Sequence, residues 1–202
     1  MTIDPHLLKG NYVYLELLLP EHREPLRQLA RDERLWEFTK TLILNDSFDQ
    51  QFDAYFDVAI APASAMGGTQ SFIIRQVKDG PLIGMTRYHG ITPADKKLEI
   101  GYTWYNPIVW GKVHNKECKL LLLQYAFETL RYNRVEFKVA GQNLRSQRAV
   151  EKIGGVKEGV LRKTGYRPDG SLRDTVIFSI IDDEWPVKKE KLLQLVASSE
   201  KP

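Results

Sequence analysis

The period of the apolar positions changes along this chain, and the changes divide it into elements. In NYVYLELL (11–18) apolar and polar residues alternate among aromatic and β-branched side chains, which is the two-residue period of a strand. HREPLRQLARDERLWEF (22–38) instead sets Leu26, Leu29 and Ala30 at helical spacing between charges. FDQQFDAYFDVAIA (48–61) repeats apolar residues at 48, 52, 55, 56 and 59, a second helix. Ala61-Pro62 and Gly67-Gly68 break that pattern into a loop. SFIIRQV (71–77) and LIGMTRYHGI (82–91), parted by Asp79-Gly80-Pro81, predict a β-hairpin. KLEIGYTWY (97–105) predicts a further strand, stopped by Asn106-Pro107.

From Asn115 to Arg131 the period returns to that of a helix. Leu120, Leu123, Phe127 and Leu130 form its stripe, and Leu121 with Leu122 widens it, so this helix is expected to be buried on several sides. RVEFKVA (134–140) follows as a short strand, and a strand–helix–strand unit implies a parallel pair. Asn143 suits the N-cap of a helix over 144–153, with Gly154 or Gly155 at its end. GVKEGVLRKTGYR and LRDTVIFSII read as two last strands joined by a turn at Pro168-Asp169-Gly170. The tail DDEWPVKKEKLLQLVASS predicts a short amphipathic helix. Trp185 is expected to lock it to the sheet, and its apolar face could equally serve a homodimer contact. Strands outnumber helices and their order is mixed. The fold class is therefore α+β, with helices on both faces of a mostly antiparallel sheet. No repeat or linker splits the 202 residues, so one domain is expected, with 1–10 and 187–202 peripheral.

Composition narrows the function. The chain is 43% hydrophobic and 27% charged, ordinary for a soluble globular protein, and its net charge is +3. That charge suits an anionic ligand, but no basic stripe argues for nucleic acid, and KKEK at 188–191 reads as a solvated helix face. No apolar run is long enough to span a membrane, and the start lacks a signal-peptide core, so the expected location is the cytosol. One cysteine, Cys118, excludes an internal disulfide and Cys-pair metal clusters. His6, His22 and His89 show no metal spacing, so no metal is expected. Cys118 also has no base near it in sequence, which argues against an acyl-enzyme role.

The stretch VWGKVHNKECKLLLL (109–123) sets glycine, lysine, histidine and asparagine where an apolar helix begins. Helix starts present unpaired N–H groups and favour an anion, so Gly111, Lys112, His114 and Asn115 are candidates to hold a phosphate. A second helix start, NLRSQRAVEKIG (143–154), places Ser146 in the first turn after Asn143. Either it helps grip the same ligand, or Asn143 and Ser146 simply satisfy each other.

Taken together, EIGYTWYNPIVWGKVHNKECKLLLLQYAFETL, RVEFKVAGQNLRSQRAVEKIGGVKEGVLRK and RDTVIFSIIDDEWP closely resemble the GNAT N-acetyltransferases, and within them the RimJ/RimL branch, which acetylates protein N-terminal and related amines. The resemblance implies a GNAT-like sheet with splayed strands and acetyl-CoA as donor. The pyrophosphate would sit on the backbone from Trp110 through Gly111, Lys112, Val113 and His114 to Asn115. The pantetheine arm would run between strands 97–105 and 134–140, near Tyr102 and Trp104. Asn143 would hold that arm, and Ser146 would lie near the thioester sulfur. The family's loop usually reads Q/R-x-x-G-x-G/A, where this chain has Ile108, Gly111 and Val113. Valine tolerates positive φ poorly, so Val113 is expected to distort the cradle if such an angle is needed there.

Acetylation of an amine requires a neutral nucleophile, a donor to the developing oxyanion and relief for the departing thiolate. Glu99, a carboxylate within an aromatic strand, is the candidate base; alternation equally allows a solvated residue on a polar face. A backbone N–H near Tyr102 would serve the oxyanion. Ser146 is the candidate donor to the thiolate, since the tyrosine that many GNAT enzymes use for it has no counterpart in 143–153. Trp36, Phe38, Tyr88 and Trp104 could line an acceptor slot, with Glu37 and Glu99 attracting an amine, or these aromatics could be core. Two functions follow: an acetyltransferase acting on a primary amine, or a CoA- or partner-binding module that retains the fold without turnover.

Overall fold

The computed structural model describes residues 8–39, 41–61, 68–77, 80–167 and 169–200. In chain order the elements are β1 (Tyr14–Leu17), α1 (Arg23–Ala30), α2 (Phe48–Ile60), β2 (Gly68–Arg75), β3 (Leu82–Thr92) and β4 (Lys97–Tyr105). They continue with α3 (His114–Gln124), β5 (Arg134–Ala140), α4 (Leu144–Lys152), β6 (Val156–Tyr166), β7 (Leu172–Ile181) and α5 (Trp185–Ala197). The expected turn residues Asp79 and Pro168, most of the 61–68 loop and His6 lie outside the described residues.

Seven strands form one sheet in the order β1-β2-β3-β4-β5-β7-β6. Every pairing is antiparallel except β4 with β5, the parallel pair expected of a strand–helix–strand unit. That pair is short. Lys97, Leu98 and Glu99 face Arg134, Val135 and Glu136, and beyond them the two strands part. Each remains held on its outer side, β4 by β3 as far as Tyr105 and β5 by β7 as far as Ala140. Their inner edges are thereby left unpaired and diverging, and a wedge opens in the middle of the sheet.

A β-bulge shapes one side of that wedge. Between the pairs Met85–Trp104 and Arg87–Gly101, the single residue Thr86 faces both Tyr102 and Thr103, and Tyr102 adopts a left-handed φ of 51°. A bulge of this kind turns side chains and leaves backbone groups unpaired at the point where it sits.

The sheet separates two apolar clusters. Under α3, α4 and α5 lie Leu122, Leu123, Val135, Val150, Ile153, Phe178 and Leu192, while α1 and α2 bury Leu26, Phe52 and Phe56 against Ile73, Met85 and Trp104. Helices on both faces of a mostly antiparallel sheet confirm the α+β reading. Three expectations are corrected. Of the stretch 22–38 only Arg23–Ala30 is α-helical, followed by a separate 3-10 turn over Glu33–Leu35. The leucine-rich helix ends as α-helix at Gln124 and runs on as a π-helical turn over Tyr125–Thr129. Trp185 locks the last helix to that turn, not to the sheet: its ring stacks on Phe127 at 5.3 Å and its indole N–H donates to Glu128 at 2.7 Å. Leu192 and Val196 of α5 are buried in the main core cluster, while Val187 and Leu193 are exposed.

Candidate active site

The wedge between β4 and β5 is a cleft of about 300 Å³. Ile100–Tyr105 form one wall and Phe137–Ala140 the other; Trp110, Gly111, Asn115 and Lys119 bound it toward α3, and Asn143, Arg145 and Ser146 toward α4. Of the ten residues expected around the donor, seven line this cleft: Tyr102, Trp104, Trp110, Gly111, Asn115, Asn143 and Ser146.

The loop before α3 is built from local turn chemistry. The side chain of Asn106 accepts from the N–H of Ile108 at 3.1 Å and starts a single 3-10 turn over Pro107–Val109. Gly111 then takes a left-handed φ of 75°, and a side chain there would point into open space. No side chain caps α3, so its first-turn N–H groups are presented at the cleft without intrahelical partners. Arg145 of α4 lies 3.9 Å above the Trp110 ring and ties this loop to the opposite wall.

Three residues of the expected cradle behave differently. Val113 has φ −67°, so it does not distort the loop; the left-handed position is Gly111, and Val113 is buried in the core. His114 is the first residue of α3 and is buried. Burial, reinforced by the Lys112 charge, pushes its imidazole below the usual value, so it brings little positive charge to an anion. Lys112 is exposed and its side chain does not line the cleft. A Val113→Gly variant is therefore expected to bind acetyl-CoA no better than the parent. It should lose about 2 kcal/mol of stability through a cavity and added chain entropy, read as a lower denaturant midpoint.

At the second helix start, the Asn143 side-chain carbonyl accepts from the N–H of Ser146 at 3.0 Å, so Asn143 caps α4 as expected. Glu99 is not a solvated residue. It is 8% exposed, and its Oε2 is 2.9 Å from the Lys138 ammonium. The hydrogen bond to Glu99 raises the Lys138 pKa above its ordinary value. Beside Glu99, His89 meets the Tyr102 ring edge-on at 5.4 Å.

The expected acceptor slot is largely corrected. Tyr88 is fully buried and its hydroxyl donates to Leu122 O of α3 at 2.5 Å, because strand alternation puts it on the face opposite Arg87. Trp36 is core: its indole donates to Ala30 O at 2.7 Å and its ring packs against Trp104 at 5.8 Å. Phe38 is half-buried with Arg145 5.7 Å from its ring, and Glu37 is exposed.

Three residues escaped the reading of the sequence. Arg87, 2% exposed, holds its guanidinium 4.5 Å from the rings of both Tyr55 and Tyr102. Tyr55 accepts from the Trp104 indole at 3.2 Å. Lys119 lines the cleft floor. Its signal was available: it stands four residues after Asn115, on the same face of a helix whose neighbours are leucines.

The acetyltransferase (GNAT) domain matches residues 13–156, and the chain belongs to that family. A curated relative, "Putative ribosomal N-acetyltransferase YdaF" of Bacillus subtilis, is 37% identical over 112 residues, 55% of this chain and 60% of that protein. The chain thus matches somewhat over half the length of that relative. A solved structure described as a "putative acetyltransferase" is 34% identical with a TM-score of 0.84, and 100% of each chain is covered. RimJ of Mycobacterium smegmatis, solved in complex with CoA-disulfide, shares the fold at 20% identity with a TM-score of 0.76 over 93% of this chain and 90% of that one. Among the described residues no helix is long and apolar enough to cross a membrane.

Proposed function

We propose that this protein transfers the acetyl group of acetyl-CoA to a primary amine, a protein N-terminus or a small amine, by direct attack in a ternary complex. The observation that carries this reading is the wedge that opens where β4 and β5 stop pairing, running from the uncapped start of α3 to the bulge at Tyr102. Its open strand edges suit an extended arm with amide groups, and the unpaired N–H groups of a helix start suit a pyrophosphate. The naming of YdaF as a ribosomal acetyltransferase supports a place in the RimJ/RimL-like branch, with a protein N-terminus as acceptor and the cytosol as the place of work.

In this reading the backbone from Trp110 to Asn115 holds the pyrophosphate, the inner edges of β4 and β5 hold the arm, and Asn143 fastens it from the side. A backbone N–H beside Tyr102 donates to the carbonyl oxygen as it gathers charge, in a site already organised for it. Glu99 accepts the proton of the attacking amine, directly or through water, while Lys138 keeps the carboxylate in place. Ser146 offers its hydroxyl to the sulfur that departs.

Titration calorimetry with acetyl-CoA and CoA tests the donor site, and amine-dependent release of CoA thiol across N-terminal peptides and small amines tests turnover. Micromolar binding with release is expected. Glu99→Gln should lower kcat by about 10²-fold and leave donor affinity within a factor of two. Absence of binding to either ligand would withdraw the enzyme reading.

A further inference from the structure

Lys119 is buried where a charge has no evident reason to be. It is 6% exposed, yet it forms part of the cleft floor between the parted strands. Its Nζ donates to Thr103 Oγ1 at 2.7 Å and lies 3.5 Å from Thr86 Oγ1. Those two hydroxyls also meet each other at 2.7 Å, so neither needs the ammonium. Among the described residues no carboxylate pairs with Lys119. Glu117 is turned the other way, onto the backbone N–H groups of Asn11, Tyr12 and Val13.

The groups packed around it supply no counter-charge. On α3 the buried Cys118 thiol is pushed up by desolvation; on β3 and β4 the buried hydroxyls of Tyr88 and Tyr105 are pushed well up for the same reason, so all three stay neutral. Across the cleft Arg145 is cationic over Trp110, and Lys138 is committed to Glu99. Burial lowers Lys119 itself to about 8, which leaves it mostly charged at neutral pH. A buried cation without a counter-ion carries a desolvation penalty that an incoming anion can relieve.

We propose that Lys119 holds the sulfur of CoA as a thiolate, by charge and by a hydrogen bond, and so receives the leaving group of the transfer. The inference rests on the acetyl-CoA reading above. As the new N–C bond forms, the C–S bond breaks and its electron pair goes to sulfur. The Lys119 ammonium donates to that thiolate and then gives it a proton to release the thiol. The lysine regains a proton from solvent, while the proton lost by the amine leaves through Glu99. Ser146, on the α4 side, is a second donor to the same sulfur.

CoA differs from acetyl-CoA by bearing the free thiol, so the two ligands separate this role from general binding. Each is titrated calorimetrically at pH 7.5 into wild type, Lys119→Met and Lys119→Arg, in phosphate and in Tris, whose ionisation heats differ. A thiol with an ordinary pKa near 8.5 is about nine-tenths protonated at pH 7.5, so becoming a thiolate on binding releases about 0.9 of a proton per CoA, whereas acetyl-CoA releases none. Lys119→Met should abolish that difference and weaken CoA by about tenfold or more, with acetyl-CoA within a factor of two; Lys119→Arg, which keeps the charge, should restore proton release. Equal proton release by CoA and acetyl-CoA in wild type, or a difference that persists in Lys119→Met, overturns the proposal. If CoA and acetyl-CoA both fail to bind wild type, the donor reading itself has failed.

Discussion

Glu117→Ala is expected to lower the thermal midpoint by about 10 °C, the largest loss of stability foreseen for a single substitution in this protein. The carboxylate is 3% exposed and accepts three backbone N–H groups, from Asn11 at 2.8 Å, Tyr12 at 2.7 Å and Val13 at 2.8 Å. A side chain at Gly10 would collide with it, so glycine there lets the chain come this close. Hydrogen bonds to a charged acceptor contribute about 1.5–3 kcal/mol each, and orphaned buried donors lose more than the bond alone. Even with water entering the gap, a net loss of about 4 kcal/mol is reasonable. Glu117 also sits in the first turn of α3, where a negative charge is favourable to the helix. Differential scanning calorimetry reads the shift, and a fall below about 3 °C would mean that water replaces the carboxylate without penalty.

Lys119→Met is expected to do the opposite and stabilise the ligand-free protein at pH 7. The native value of about 8 lies below the ordinary 10.5, so between these two pH values the folded state has released a proton that the unfolded chain still holds. At pH 7 both keep it, and the buried charge costs its full penalty. The penalty is therefore fully present below pH 8 and fades as the pH rises toward 10.5. A depression of this size corresponds to about 3 kcal/mol, of which the lost hydrogen bond to Thr103 returns about 1. The variant should melt about 5 °C higher than wild type at pH 7, and the two should converge by about pH 10. A gap that does not narrow with pH would mean that packing, not the buried charge, accounts for it. Stability given up at a buried cation inside a cleft is what a site adapted to an anion would show.

Much of this architecture is legible in the chain because it follows from local rules. β4 and β5 occupy 97–105 and 134–140, the spans their pattern predicts, and Asn143 caps α4 as its position suggests. Their parallel pairing follows from the helix between them. The first partner residues of the cleft, Gly111, Asn115, Asn143 and Ser146, were likewise visible as two helix starts after strands.

What was not legible depends on contacts between distant segments. Whether Gly111 or Val113 takes the left-handed angle is settled by where the valine side chain finds a core. Whether Tyr88 or Arg87 faces the α2 side depends on strand alternation after the bulges, which no residue type announces. Trp36 turned to the core because Trp104 and Tyr55 were there to meet it. Glu117 and its partners stand 104 to 106 positions apart, so its role belongs to the folded state alone.

The sequence by itself thus determined the elements, their class and the two helix starts that flank the cleft, since periodicity, caps and turns act over a few residues. The tertiary structure decided how far β4 and β5 pair, which charges lose their counter-ions and which aromatics are core. Those outcomes depend on burial and on partners brought together only when the sheet closes over its two helical layers.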